Sequence, residues 1–104
     1  MSKTIKGRID FVAGGVSTVR LLITHPMAIE RTDPKTGQAV EAHFIESLAI
    51  AVNGEPELVW DWGQAVSTNP FVSFGLHGLR AGDGVTVTWR DNRKQSDSLQ
   101  LTVN

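Results

Sequence analysis

At 104 residues the chain is long enough to bury one core without staples and too short for two, so a single domain over residues 1–104 is expected. Hydrophobic residues at 40% and charged residues at 20% exclude a disordered chain, and a formal net charge of −1 argues against a polyelectrolyte partner. Cysteine is absent, which excludes disulfides, zinc–thiolate sites, iron–sulfur clusters and thiol nucleophiles in this chain.

Short alternating apolar segments, punctuated by Gly, Pro and Asn, run the length of the sequence, and no window carries a helical stripe. Ile5, Gly7, Ile9 and Phe11 share one face of a first strand. After a turn at Gly14-Gly15, Val19, Leu21 and Ile23 share one face of a second, which Pro26 interrupts. The stretch "THPMAIERTDPKTGQAVEAHF", residues 24–44, then reads as a strand end, a loop turning at Asp33-Pro34 and Thr36-Gly37, and a strand start. Leu48, Ile50 and Val52 alternate up to the turn signal Asn53-Gly54, and "ELVWDW" places Leu58, Trp60 and Trp62 on one side of the returning strand. Val72, Phe74 and Leu76 alternate after Asn69-Pro70. Val85, Val87 and Trp89 give the clearest alternation, and Leu99, Leu101 and Val103 follow the "DNRKQ" turn. About seven antiparallel strands with regular turns predict an all-β, immunoglobulin-like β-sandwich, with a small OB-type barrel second. Without cysteine or tyrosine, the antibody-domain marks are missing and the label is architectural.

Charge is uneven along the chain. Lys3, Lys6, Arg8, Arg20 and Arg31 make the first third basic, and Glu41, Glu46, Glu55, Glu57 and Asp61 make the middle acidic. Neither set is massed enough to suggest nucleic acid. The N-terminus "MSKTIKGRIDFVAGG" lacks an apolar signal core and no later segment is long enough to span a membrane, so no export address and no membrane partner are expected.

No serine sits in a G-x-S-x-G elbow, and the glycines of "GLHGLRAGDG" match neither a phosphate loop nor a dinucleotide fingerprint. Paired carboxylates such as Glu55 and Glu57 read as solvated strand faces, since a glycosidase needs a cleft. His25, His43 and His77, with Met27, could converge on copper or zinc, but their spacing matches no metal motif, and imidazoles at strand ends commonly satisfy loop carbonyls. Trp60, Trp62 and Trp89 could form a glycan platform, but their inward parity favours core packing. No catalytic residue, cofactor or resident metal is therefore expected.

The ordered set His25-Pro26-Met27, Lys35-Thr36-Gly37, His43-Phe44-Ile45, Asn53-Gly54, Ser67 with Asn69-Pro70-Phe71, Gly82-Asp83, and Val87-Thr88-Trp89 followed by Asp91-Asn92 closely resembles the Z subunit of the SoxYZ carrier of bacterial thiosulfate oxidation, over nearly the whole chain. The resemblance implies an immunoglobulin-like sandwich without catalysis of its own. It would be paired with a Y subunit whose C-terminal cysteine arm carries sulfur intermediates between the pathway enzymes. It further implies a periplasmic location reached by co-export with the signal-bearing Y subunit, and transient docking to the enzymes. With no cysteine here the heterodimer would be noncovalent, and the isolated chain could self-associate through the orphaned surface. Met27, Phe44 and Phe71, with His25 and His43, are the candidate partner contacts; the alternative is that Phe44 and Phe71 plug the sandwich ends. The main competing function is a metal-binding sandwich using His25, His43 and Met27. In the family the turn after Asp91-Asn92 often carries glycine, and Asn92 is expected to take that left-handed position here.

Overall fold

The computed structural model describes residues 4–25, 27, 31–62 and 69–103. Pro26 and Ser67 of the motif set lie outside them. The described strands are β1 (Ile5–Asp10), β2 (Val16–Ile23), β3 (Arg31–Thr32), β4 (Ala39–Val40), β5 (Ile45–Val52), β6 (Glu55–Asp61), β7 (Phe71–His77), β8 (Gly84–Asp91) and β9 (Ser96–Thr102). Seven of these are the strands expected from alternation, and they form two antiparallel sheets, β1-β2-β7 and β6-β5-β8-β9. The molecule is an all-β sandwich.

The inward faces follow the period-two pattern. Ile5, Val19, Leu21, Ile23 and Leu76 come from the three-stranded sheet, and Ile45, Leu48, Ile50, Val85, Val87 and Trp89 from the four-stranded one. The two layers close along β1 and β9. Gly7 faces inward there, and a Cβ on it would lie 2.7 Å from Leu21 Cδ2 and 3.3 Å from Leu99 Cδ2, so the missing side chain lets the layers approach. The Trp89 indole N–H donates to Thr4 Oγ1 (3.0 Å), and the Thr4 hydroxyl in turn bonds Asp97 of β9. Strands β6 and β7 form the other border, where Trp60 and Phe74 meet edge to face with ring centroids 5.1 Å apart. Edge strand β6 carries Pro56 and exposed Glu55, Glu57 and Asp61, features that discourage pairing with another sheet.

Two bulges adjust the four-stranded sheet. One, between Ile45 and Ser47 on the β8 side, shifts the inward parity of β5 from odd to even positions. Ile45 and Leu48 can therefore both be buried. The other lies between Ile50 and Ala51, on the β6 side.

The structure departs from the sequence reading in two places. The 24–44 excursion contains a small ribbon, β3-β4, whose pairs are Arg31 with Val40 and Thr32 with Ala39. Asp33 closes it, accepting the Lys35 amide on its carboxylate (2.8 Å) and the Gly37 amide on its carbonyl (2.8 Å), with Gly37 at φ 72°. In the "DNRKQ" turn Lys94, not Asn92, takes the left-handed backbone, at φ 62°. Asn92 is committed elsewhere: its side chain accepts the Phe44 amide (2.9 Å) and donates to the Ala42 carbonyl (2.8 Å).

Leu48 is fully buried and Val59 is 61% exposed. In urea unfolding, Leu48→Ala is expected to cost about 3 kcal/mol, and Val59→Ala less than about 0.5 kcal/mol.

Candidate functional site

Strand parity continues past the ends of the strands at one end of the sandwich. In β2 the inward positions are Ser17, Val19, Leu21 and Ile23, and the next is His25, 2% exposed. In β8 they are Val85, Val87 and Trp89, and the next is Asp91, 3% exposed. Before the bulge in β5, Ile45 points inward, and two residues earlier stands His43. Three strand ends thus deliver two imidazoles and a carboxylate to one buried point.

Asp91 Oδ2 accepts from His25 Nε2 (3.1 Å) and from His43 Nε2 (2.7 Å), and the two imidazole rings lie edge to face at 4.5 Å. Asp91 Oδ1 accepts the backbone N–H groups of Arg93 (3.0 Å) and Gln95 (2.8 Å), which folds the β8–β9 turn around the carboxylate. His25 is held on its other side as well. The Met27 amide donates to its Nδ1 (3.1 Å), its own amide donates to Asn69 Oδ1 (2.9 Å), and its carbonyl accepts the Asn69 amide (3.0 Å). The Met27 thioether accepts the Ile45 amide (3.3 Å), with Met27 5% exposed and at φ 45°. Among the described residues no buried side-chain nitrogen or oxygen lacks a partner.

These bonds determine the protons. Because Nδ1 of His25 receives an N–H, it carries a lone pair, and the ring's proton sits on Nε2, facing Asp91. Burial pushes the His25 pKa below its ordinary value, with the nearby His43 adding to the fall and the hydrogen bond and charge of Asp91 opposing it. Burial works to raise the pKa of Asp91, but bonds from His25, the Gln95 amide, His43 and the Arg93 amide outweigh it and hold the carboxyl below its usual range.

The metal alternative can be weighed on this donor set. His25, His43 and Asp91 present ligand atoms within 4.8 Å of one another, so the two histidines do converge, with Asp91 as the third member and the Met27 sulfur occupied by an amide. Binding a metal through Nε2 would require the His25 proton on Nδ1, directed at an acceptor. Nδ1 instead faces the Met27 N–H. The cluster is chemically a hydrogen-bonded node, with His25 and Asp91 buried and His43 partly exposed.

Other sequence candidates fall as follows. His77 is exposed and pairs with Val16, at the far end of β2 from His25. Trp89 is buried, its indole packed edge to face on His25 at 5.1 Å, and Trp60 and Trp62 are partly buried against the core. Phe44 is partly buried against the core, and Phe71 is 66% exposed. Asp91, Asn69 and Asn92 were not singled out from sequence as members of a site. The available signal was Asp91 at an inward position of an otherwise apolar strand face.

Replacing Asp91 by Asn would set an amide N–H against an N–H donor in at least one of the four bonds. A loss of roughly 3 kcal/mol in urea unfolding is expected. The pH dependence has a definite sign. With its folded pKa lowered, His25 is protonated more readily in the unfolded chain, so its contribution is intact above about pH 6.5 and is lost as pH falls below that. Asp91, also lowered, acts in the same direction from about pH 3.9 downward. Stability should therefore drop between about pH 7 and pH 5, and His25→Gln, which does not titrate, should flatten that slope in unfolding measurements across the range.

The sulphur oxidation protein SoxZ family model matches residues 8–102, from within β1 to the end of β9. A search of curated proteins gave no match. With the match covering nearly the full length, the chain belongs to the SoxZ family of sulphur-oxidation proteins.

Proposed function

We propose that the chain is the non-catalytic Z subunit of a periplasmic sulfur carrier. It pairs noncovalently with a Y subunit whose C-terminal cysteine arm holds sulfur intermediates, and it offers a docking surface to the pathway enzymes that visit that arm. The observation that carries this reading is the coincidence of family membership with the absence of cysteine. Covalent carriage of sulfur needs a thiolate, and a sulfur-oxidation subunit without one must work beside a chain that has it.

The chemistry of the buried node supports a structural role. Both nitrogens of His25 and both oxygens of Asp91 are engaged within the chain, so neither group is free to take a substrate proton. Met27, His25, His43 and Phe44 shape the end of the sandwich beside which the arm passes, and Phe71 offers an open contact.

The test is light scattering behind size exclusion, on this chain alone and after coexpression with a Y subunit carrying the cysteine arm. A stable one-to-one heterodimer is expected, unaffected by reductant. A chain that elutes apart from that subunit contradicts the reading.

A further inference from the structure

An antiparallel sheet with one buried face ordinarily shows polar side chains on the other. The outer face of β1-β2-β7 carries such polar side chains, Arg8, Arg20 and Ser73 among them, but it also exposes Val16, Leu22 and Phe71. Its register sets Lys6, Leu22 and Phe71 in one row across the three strands, and Arg8, Arg20 and Ser73 in the next. Among the described residues the exposed large hydrophobics are Val12, Val16, Leu22, Val59 and Phe71. All but Val59 lie on this face or in the turn at its end. Gly75 keeps the face low: a Cβ there would stand 2.6 Å from Val16 Cγ1, so Val16 lies flat across the neighbouring strand.

The polar groups give the face a sign. The Arg8 and Arg20 guanidinium groups share the single carboxylate of Asp10, and Lys6 adds a third cation, on a chain of formal net charge −1. Lys6, Arg8 and Arg20 border a shallow depression of about 380 Å³ that has Leu22 and Phe71 in its wall. Among the described residues the face carries three Lys and Arg cations, two of which share a carboxylate, fewer than the roughly six to ten phosphate contacts of a strongly salt-dependent nucleic-acid binder. The combination is that of a protein interface, with an apolar centre bordered by charge that selects the partner.

We infer that this outer face docks the partner subunit of the proposed carrier, against a surface of that subunit where carboxylates surround an apolar centre. The inference rests on the carrier reading and adds to it the face and the complementary chemistry. Phe71 and Leu22 insert as anchors. Arg8, Arg20 and Lys6 meet the partner's carboxylates, so association is faster at low salt than at high salt.

The test measures the dissociation constant between this chain and the Y subunit for Leu22→Glu and Phe71→Glu, with Val59→Glu, on the outer side of β6, as control. Each of the first two is expected to weaken pairing by about tenfold or more, and the control by less than about twofold. All three positions are exposed, so thermal unfolding of the isolated variants should match the wild type, and the milder Phe71→Ser guards against a folding defect. If the pair forms and the Leu22 and Phe71 variants bind within about twofold of wild type, this face is not the interface, although the carrier reading stands. An equal effect of Val59→Glu overturns the inference as well. So does a wild-type chain that self-associates through Leu22 and Phe71 while binding the Y subunit independently of them, or one that these residues hold to anionic vesicles but not to that subunit. A wild-type chain that never pairs with the Y subunit removes both the inference and the reading beneath it.

Discussion

One buried carboxylate holds an end of this sandwich together. Asp91 receives two imidazole N–H groups and two backbone amides, which joins the exit of β2, the approach to β5 and the β8–β9 turn in one place. Neighbouring asparagines extend the fastening: Asn69 ties His25 to the entry of β7, and Asn92 ties Phe44 and Ala42 to the end of β8. A carboxylate without these donors would be costly in such a place, so the four bonds and the burial depend on each other. At the opposite end a lighter knot does comparable work. There Asp83 accepts from Asn53 and from the Arg80 amide, and Asn53 accepts the Gly84 amide. Those two bonds hold the Asp83 carboxyl below its ordinary range.

The strands were legible because burial of one face imposes a period of two, and Val85, Val87 and Trp89 or Val19, Leu21 and Ile23 display it without interruption. Asn53-Gly54 was equally plain: a two-residue hairpin of type I′ needs left-handed backbone at both positions, and these two stand at φ 51° and 82°. The β3-β4 ribbon was hidden because each of its strands has two residues, too short for any alternation to register. Asn92 misled for a different reason. Its amide resembles a left-handed turn former, but two backbone groups from the 42–44 segment had a stronger claim on it, and Lys94 took the turn position.

The node was half legible. His25 and His43 attracted notice as possible ligands, yet their joint partner Asp91 did not, because a bulge at one register position decides which way His43 points. Parity counted back from Leu48 and Ile50 would have sent that histidine outward. The family resemblance and the node also turn out to share residues: His25, Met27, His43, Phe44, Asn69, Asp91 and Asn92 all belong to the motif set, and here they fasten loops. Motifs that suggest a site by their composition can thus be the parts that fasten loops to the end of the sandwich.

The most direct measurement of this account is the protonation of the histidine rings by nitrogen-15 NMR at about pH 7, where an unperturbed imidazole is mostly neutral. The account predicts His25 as a neutral ring with its proton on Nε2 and a bare Nδ1, unchanged when one equivalent of zinc is added. A proton on Nδ1, a charged ring, or a shift of the His25 and His43 signals with zinc would contradict it and make the cluster a metal site.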